Sequence, residues 1–490
     1  MRPVVTPAEM GEADRETIAR GTPEAELVER AGAAVAARAL RMLGGVYGRR
    51  VAVVAGKGNN GADGVVAARR LRTRGIGVAE FALSDGIAVP KLERELARAD
   101  LVIDAMFGTG FRGSLAGDAA AAARAIDASG VPVLAVDIPS GVDGTTGEAP
   151  GTAIRARQTV CFAALKPGLL FEPGRSNAGR VSVADIGIDA TAAWHGAATL
   201  HVLEVADLHV PRRANVGHKW SAAALVVGGS AGMVGAPLMA SHAAARCGAG
   251  MVVCGLPGAQ SASRASDSEL VVRAFPATPD GALADDAADA VLADIERFRA
   301  LAIGPGLGRD ARTQSAVRRI VAQCPIPLVV DADALYALAS DPDPLHARRA
   351  AGFPPAVLTP HAAEYARLAS KAVDADRVLA ARDLASRLDA IVLLKGPGTV
   401  VADASGRAVV NRTDSPALAT AGSGDVLTGI IAGIVASGAA PFDAAATGAY
   451  VHGRAATVAG TGDDLVATDL IGALHRTLEP LRSGDDPWEA

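Results

Sequence analysis

Aromatic side chains are scarce: Phe, Trp and Tyr together make up 3% of the 490 residues. Any sizeable core must therefore be built from Ala, Val, Leu and Ile on closely approaching backbones, which 55 glycines permit. Half of the residues are hydrophobic, which argues for a layered α/β protein over a disordered chain. Positive charge is not in excess either. With a formal net charge of -5 and no basic block, a nucleic-acid binder held by phosphate neutralisation is excluded. The four cysteines, Cys161, Cys247, Cys254 and Cys324, form no CxxC pair, and nothing resembling a signal peptide opens the chain. A reduced, cytoplasmic protein is expected. The most apolar run, Val426 to Ala440, is broken by Thr428, Gly429, Gly433 and Ser437. It falls short of the roughly 18 apolar residues a membrane span needs and reads as a buried helix.

What is present points to two large α/β domains, since a domain takes roughly 150 residues. Helical spacing covers Glu9 to Arg20 and Glu24 to Leu43. From Val51, β-branched runs alternate with Ala/Arg-rich helical stretches, which predicts a mostly parallel, doubly wound sheet. Ligands of such sheets sit beyond the carboxyl ends of the strands.

Three of those ends are chemically loaded and are expected to converge on one crevice. They are Gly56 to Gly64, Asp104 running into Gly108 to Ser114, and Asp137-Ile138-Pro139-Ser140-Gly141. The first formally matches GxGxxG, with Glu80 following at about the distance a dinucleotide-binding dehydrogenase would need. Asn59, Asn60 and Asp63 weigh against that reading, because side-chain amides and an acid stand where a pyrophosphate wants bare backbone. Arg112 with the N-H groups of its glycine-rich loop suits phosphate, and Asn60, Asp104 and Ser140 suit a hard cation. For Asp104 or Asp137 alone, capping a turn is as good an explanation as function.

The set N-N-G-A-D-G, D-A-M-F-G-T-G-F-R-G and D-I-P-S-G-V-D-G resembles the NAD(P)H-hydrate epimerase domain, over residues 1 to 205. That family interconverts the two epimers of a nicotinamide cofactor hydrated on its dihydropyridine ring. The resemblance implies that Asn59, Asn60, Gly61, Ala62 and Asp63 surround the hydrated cofactor. Gly108, Thr109, Gly110, Phe111, Arg112, Gly113, Ser114 and Asp137 would complete that enclosure. It also implies potassium at Asn60, Asp104 and Ser140. Ala62 stands where the family more usually has Gly. Asp137 is the residue expected to act as acid and base, since epimerising a carbinolamine carbon moves protons on and off oxygen.

Periodicity fades from Asp189 to His218, and the domain boundary is placed near residue 205. A second α/β series follows, again with polar loops at strand ends. Ala419 to Gly429 sets Asp425 behind a glycine-rich turn and ahead of an apolar helix. Asp425 there is a helix cap or a general base. Lys395-Gly396-Pro397-Gly398-Thr399 lacks the ending of a Walker loop, and reads as a phosphate-holding turn or a plain hairpin. His361, after Thr359-Pro360, opens a helix.

The order G-G-S, G-P-G-L-G, D-A-D-A-L, L-T-P-H-x-x-E, K-G-x-G-T, A-G-S-G-D resembles the ADP- or ATP-dependent NAD(P)H-hydrate dehydratases, members of the ribokinase-like superfamily, over residues 206 to 490. The implied fold is an N-terminal Rossmann-like doubly wound sheet followed by a ribokinase-like α/β domain. Ala236, Gly306, His361 and Asp425 would meet the hydrated cofactor, and Lys395 to Thr399 with Gly424 the adenine nucleotide. Asp425 would take the ring hydroxyl's proton during phosphoryl transfer, with Mg2+ bridging the phosphates. The partners expected are hydrated NADH or NADPH and ADP or ATP, with no nucleic acid and no membrane, in a homo-oligomer. The competing expectation is a ribokinase-like small-molecule kinase fused to a non-catalytic nucleotide-binding module.

Overall fold

The computed structural model describes residues 1–192, 194, 199–212, 217–264, 269–460 and 462–483. Residues 193, 195–198 and 213–216, inside the stretches where periodicity fades, lie outside that set. The chain divides into Arg2–Gly196 and Ala197–Ala490, the latter grouped with Met1. The division precedes residue 205 because Leu200–Val202 pairs in parallel with Ala408–Val410 of the second unit.

In the first unit a six-stranded parallel sheet runs Gly77–Ala82, Arg50–Ala55, Leu101–Ala105, Val133–Val136, Gln158–Phe162, Arg180–Ala184. Alternation assigns its two faces. Val51 and Val53 join the core under the helices Pro7–Ala19, Glu24–Leu43 and Asn59–Thr73. Ala52 and Val54 join the core under Val89–Leu96 and Gly117–Ser129. Helices on both faces explain why these strands read as continuous apolar runs. Thr6 opens the first helix with a reciprocal capping box to Glu9. Strand order reverses between Arg50–Ala55 and Leu101–Ala105, and the loaded loops leave the carboxyl ends around that switch point. The edge strand Arg180–Ala184 is half-buried, which left no apolar run to betray it.

The second unit's strands run Leu200–Val202, Ala408–Val410, Val400–Ala402, Ile391–Leu394, Val357–Leu358, Leu328–Val330, Ala300–Ile303, Ala223–Val227, Met251–Pro257, Val271–Phe275. Pairing is parallel from Ile391–Leu394 to Val271–Phe275. It is antiparallel where Lys395 to Thr399 turns the chain into Val400–Ala402. The apolar helix spans Ser423–Ala436 and is buried along nearly its whole length. It packs on the helix Gly235–Arg246 at backbone distance. A Cβ at Gly429 would sit 2.0 Å from the Ala240 carbonyl oxygen, and one at Gly433 2.5 Å from that of Ala244. No side chain fits there, so these two glycines fix where the helix, and Asp425 at its start, can lie.

Candidate functional site

In the first unit the loaded loops converge as expected. A cavity of about 690 Å³ is lined by Asn59, Asn60, Asp63, Gly108 to Arg112 and Asp137, together with Asp14 and Lys166. Gly61, Ala62, Gly113 and Ser114 do not line it. Ala62 lies exposed in the helix Asn59–Thr73, where alanine costs nothing. Asn59 Nδ2 donates to Glu24 Oε1 at 2.9 Å. Arg112 folds back, donating to the Phe111 carbonyl at 2.8 Å and lying 3.5 Å from Asp143. A Cβ at Gly108 would stand 3.1 Å from Asn60 Oδ1 and 3.4 Å from Asp137 Oδ2, which places both side chains at one point of the wall.

Asp137 is held hard. It sits at φ 63 at the end of Val133–Val136, in a three-residue turn closed by Ile138 N donating to the Val136 carbonyl at 2.8 Å. A non-glycine residue there stores of order 1–3 kcal/mol, which the surroundings must over-determine. Lys166 supplies the main constraint. It is fully buried, and its Nζ donates to Asp137 Oδ1 at 2.8 Å, to the Phe162 carbonyl at 2.8 Å and towards Cys161 Sγ at 3.4 Å. Burial opposes the lysine charge, but the charge of Asp137 outweighs it and raises the ammonium above its ordinary value. Burial likewise pushes the Cys161 thiol up to about 12. Sequence reasoning missed Lys166. The signal was one charged residue inside the apolar run A-A-L-K-P-G-L-L.

Of the set expected for potassium, Asn60 lines the cavity, and Ser140 and Asp104 are bonded to each other. Asp104 is entirely buried and accepts from Ser140 Oγ at 2.6 Å, Ser140 N at 2.8 Å and Met106 N at 3.2 Å. Burial raises its carboxyl to about 6, and the neutral hydrogen bonds only partly offset that. No cationic side chain compensates it among the described residues, and the buried Asn60 amide nitrogen has no partner. A buried carboxylate with no cationic partner and a hydroxyl oxygen beside it fits a hard cation.

In the second unit the centre is Asp331, 2% exposed. Its Oδ1 accepts from Lys395 Nζ at 2.9 Å and Thr359 Oγ1 at 2.7 Å, and its Oδ2 from Thr428 Oγ1 at 2.7 Å. Burial would raise Asp331, yet Lys395 and the two hydroxyls outweigh it and hold the carboxyl below its ordinary value. A Cβ at Gly424 would lie 3.5 Å from Lys395 Nζ, so the glycine turn and the lysine meet. Gly422, not Asp425, is the N-cap of Ser423–Ala436. Asp425 sits three residues further on, makes no hydrogen bond or ion pair among the described residues, and has its carboxyl raised to about 6 by burial and by the charge of Asp331. The capping alternative therefore falls away.

Ala236 and Gly306 adjoin, a Cβ at Gly306 lying 3.4 Å from that of Ala236. His361 is an exposed N-cap whose Nδ1 accepts from Ala363 N and Glu364 N at 3.1 and 3.3 Å. It also borders a small cavity of about 100 Å³ with Asp333, Tyr336 and Glu364. Thr399 Oγ1 donates to the Gly396 carbonyl at 3.1 Å, and Gly398 N to Asp414 at 3.2 Å, closing the hairpin turn. Lys395 thus faces Asp331 and Glu364 on one side of a tight turn. His452, buried against the Ser423 backbone and with burial pushing its imidazole down to about 4, was also missed. Among the described residues no cluster of three or more His, Cys, Asp or Glu forms a metal cage.

A family model described as NAD(P)H-hydrate dehydratase matches residues 224–476, and one described as YjeF-related protein N-terminus matches 24–97 and 81–168. The bifunctional NAD(P)H-hydrate repair enzyme Nnr of Moorella thermoacetica is 41% identical, covering 92% of this chain and 91% of that one. The chain belongs to this family. A second bifunctional repair enzyme, from Salinibacter ruber, is 38% identical over 97% of this chain and 96% of its own. A crystal structure of ADP/ATP-dependent NAD(P)H-hydrate dehydratase from Bacillus subtilis, co-crystallised with ATP/Mg2+, aligns with TM-score 0.48 and 28% identity, covering 57% of this chain and 98% of that one. The repair-enzyme family thus spans both units, and each unit carries its own carboxylate site.

Proposed function

We propose that the first unit epimerises the R and S hydrates of NADH and NADPH, and that the second dehydrates the S hydrate at the expense of ADP or ATP. The observation that carries the reading is Asp425: an unbonded, half-buried carboxylate beside Lys395 and a glycine turn at a helix start. A helix N-terminus and an ammonium favour phosphate there. Asp425 takes the proton of the ring hydroxyl while its oxygen attacks the terminal phosphoryl group of the nucleotide. The C–O bond then breaks, phosphate leaves with that oxygen, and loss of a proton from the neighbouring carbon restores the reduced ring. Hydroxide alone is a poor leaving group, which is why a nucleotide is consumed.

Lys395 to Thr399 with Gly424 hold the nucleotide, and Ala236, Gly306 and His361 hold the hydrated cofactor. Mg2+ would be held by the phosphates of the nucleotide and would spread their charge. In the first unit Asn59, Asn60, Asp63, Gly108 to Arg112 and Asp137 enclose the hydrated ring. Asn60, Asp104 and Ser140 would hold potassium, which would offset the buried charge of Asp104. Among the described residues no helix is long and apolar enough to cross a membrane, and the four cysteines are free and buried, in keeping with a reduced, cytoplasmic setting. A small-molecule kinase fused to a non-catalytic module is not favoured, because relatives matching both units bear the repair name.

The test supplies each hydrate epimer separately with ADP or ATP and follows the return of NAD(P)H absorbance. Recovery from both epimers is expected, the S form directly. Phosphorylation of some other alcohol with no recovery of NAD(P)H would overturn the reading.

A further inference from the structure

The epimerase cavity holds more acid than its cation can match. Asp14 from the helix Pro7–Ala19, Asp63 from the helix Asn59–Thr73 and Asp137 from a strand end all line it. Among the described residues only one buried ammonium, Lys166, faces them. An ammonium has three protons, and those of Lys166 are directed at Asp137, the Phe162 carbonyl and Cys161. None remains for Asp63. Asp63 is 7% exposed and makes no hydrogen bond or ion pair among the described residues.

Among the described residues no other charged side chain facing the cavity supplies the missing cation, and potassium at Asn60, Asp104 and Ser140 would answer the buried charge of Asp104. Lys57 is exposed at its border, Glu24 is bonded to Asn59, and Arg112 is tied to its own loop and Asp143. Where carboxyl groups line one cavity, a buried one without an ion pair is harder to ionise than one that has it. The one without a partner keeps its proton.

We propose that Asp63 is a second proton-transfer residue of the epimerase site, the acid to the base Asp137. This rests on the epimerase reading above. Asp63 gives its proton to the hydroxyl on the hydrated carbon, the C–O bond breaks, and water departs as the ring nitrogen's lone pair forms a C=N bond. A water molecule then adds to the other face of that carbon, the C=N pair returns to nitrogen, and Asp137 takes the surplus proton. Passage of that proton back to Asp63 through solvent resets the site. Water is the only co-reactant, and nothing is oxidised or reduced. In support, burial first, then the charges of Asp137 and Asp14, raise the Asp63 carboxyl to about 8, so it is protonated at neutral pH.

The experiment uses the full chain with the R hydrate and ATP, so that its own dehydratase reports each S molecule formed, with the spontaneous rate subtracted. Asp63→Asn should lower kcat for R-hydrate consumption by about 10² to 10⁴, the range of general acid catalysis, with KM nearly unchanged. Dehydration of supplied S hydrate and the thermal unfolding midpoint should stay as in the parent, and Asp63→Glu should recover part of the rate. The parent's rate should also fall above about pH 8, a limb Asp63→Asn lacks. Parent-like kcat in Asp63→Asn, or a raised KM alone, overturns the proposal while a slow Asp137→Asn leaves the epimerase reading intact. If Asp137→Asn is also parent-like, or the parent itself gives only the spontaneous rate, the epimerase reading fails with it.

Discussion

Both units set a lysine with little or no exposure against a carboxylate near a glycine-rich turn, but they use the pair differently. In the first, Lys166 bonds one of the aspartates that line the cavity, Asp137, at 2.8 Å. In the second, Lys395 bonds Asp331 at 2.9 Å, and Asp425 is left without a bond. The contrast separates two ways of preparing a carboxylate. Pairing fixes a charge and a direction. Leaving the carboxylate half-buried near another negative charge makes it readier to accept a proton, because ionisation is then opposed by desolvation and by like charge.

The comparison breaks most sharply at Asp425. Asp425→Asn removes the proton acceptor and should slow dehydration of S hydrate by about 10² to 10⁴. Epimerisation, followed by interconversion of the isolated hydrates without nucleotide, should be unchanged. Loss of both activities with both units folded would mean that the two sites are not independent.

Next in size is the removal of the lysine from the first pair. Lys166→Met leaves Asp137 buried without its cation, and breaking a buried pair from one side costs about 3–5 kcal/mol. The first unit should unfold at lower denaturant concentration, while dehydration of S hydrate persists up to that transition. Unaltered unfolding of the first unit would show that the pair does not hold Asp137 in its left-handed turn.

Much of this arrangement was legible in the sequence, and what was not has a common cause. The helix Glu24–Leu43 and most strands follow from spacing alone, because burial on one or both faces writes a period into the residues. Loops at the carboxyl ends of parallel strands carry Asn60 and Asp137, whereas Asp425 follows the antiparallel pair Val400–Ala402 and Ala408–Val410 and is read from its glycine-rich turn alone. Three-residue strands such as Leu200–Val202 and Ala408–Val410 are too short to show a period. Partners of Asp331 lie 28, 64 and 97 residues away, and no local pattern announces a contact closed by the sheet. The cap reading of Asp425 failed on register, since Gly422 starts the helix.

The smallest effect, and the finest test of the contrast, is in pH. Asp425 acts as a base only when ionised, and its carboxyl is raised to about 6. Dehydration at saturating S hydrate and nucleotide should therefore hold above that value and fall about tenfold per pH unit below it. Burial is the larger cause of the raised value and the charge of Asp331 the next. Asp331→Asn removes that charge and frees Lys395, and both changes favour the ionised form of Asp425. The acid limb should then move to lower pH, whatever happens to the maximal rate. A limb that stays in place would assign it to a group other than Asp425, and the distinction between a paired and an unpaired aspartate would lose its functional meaning.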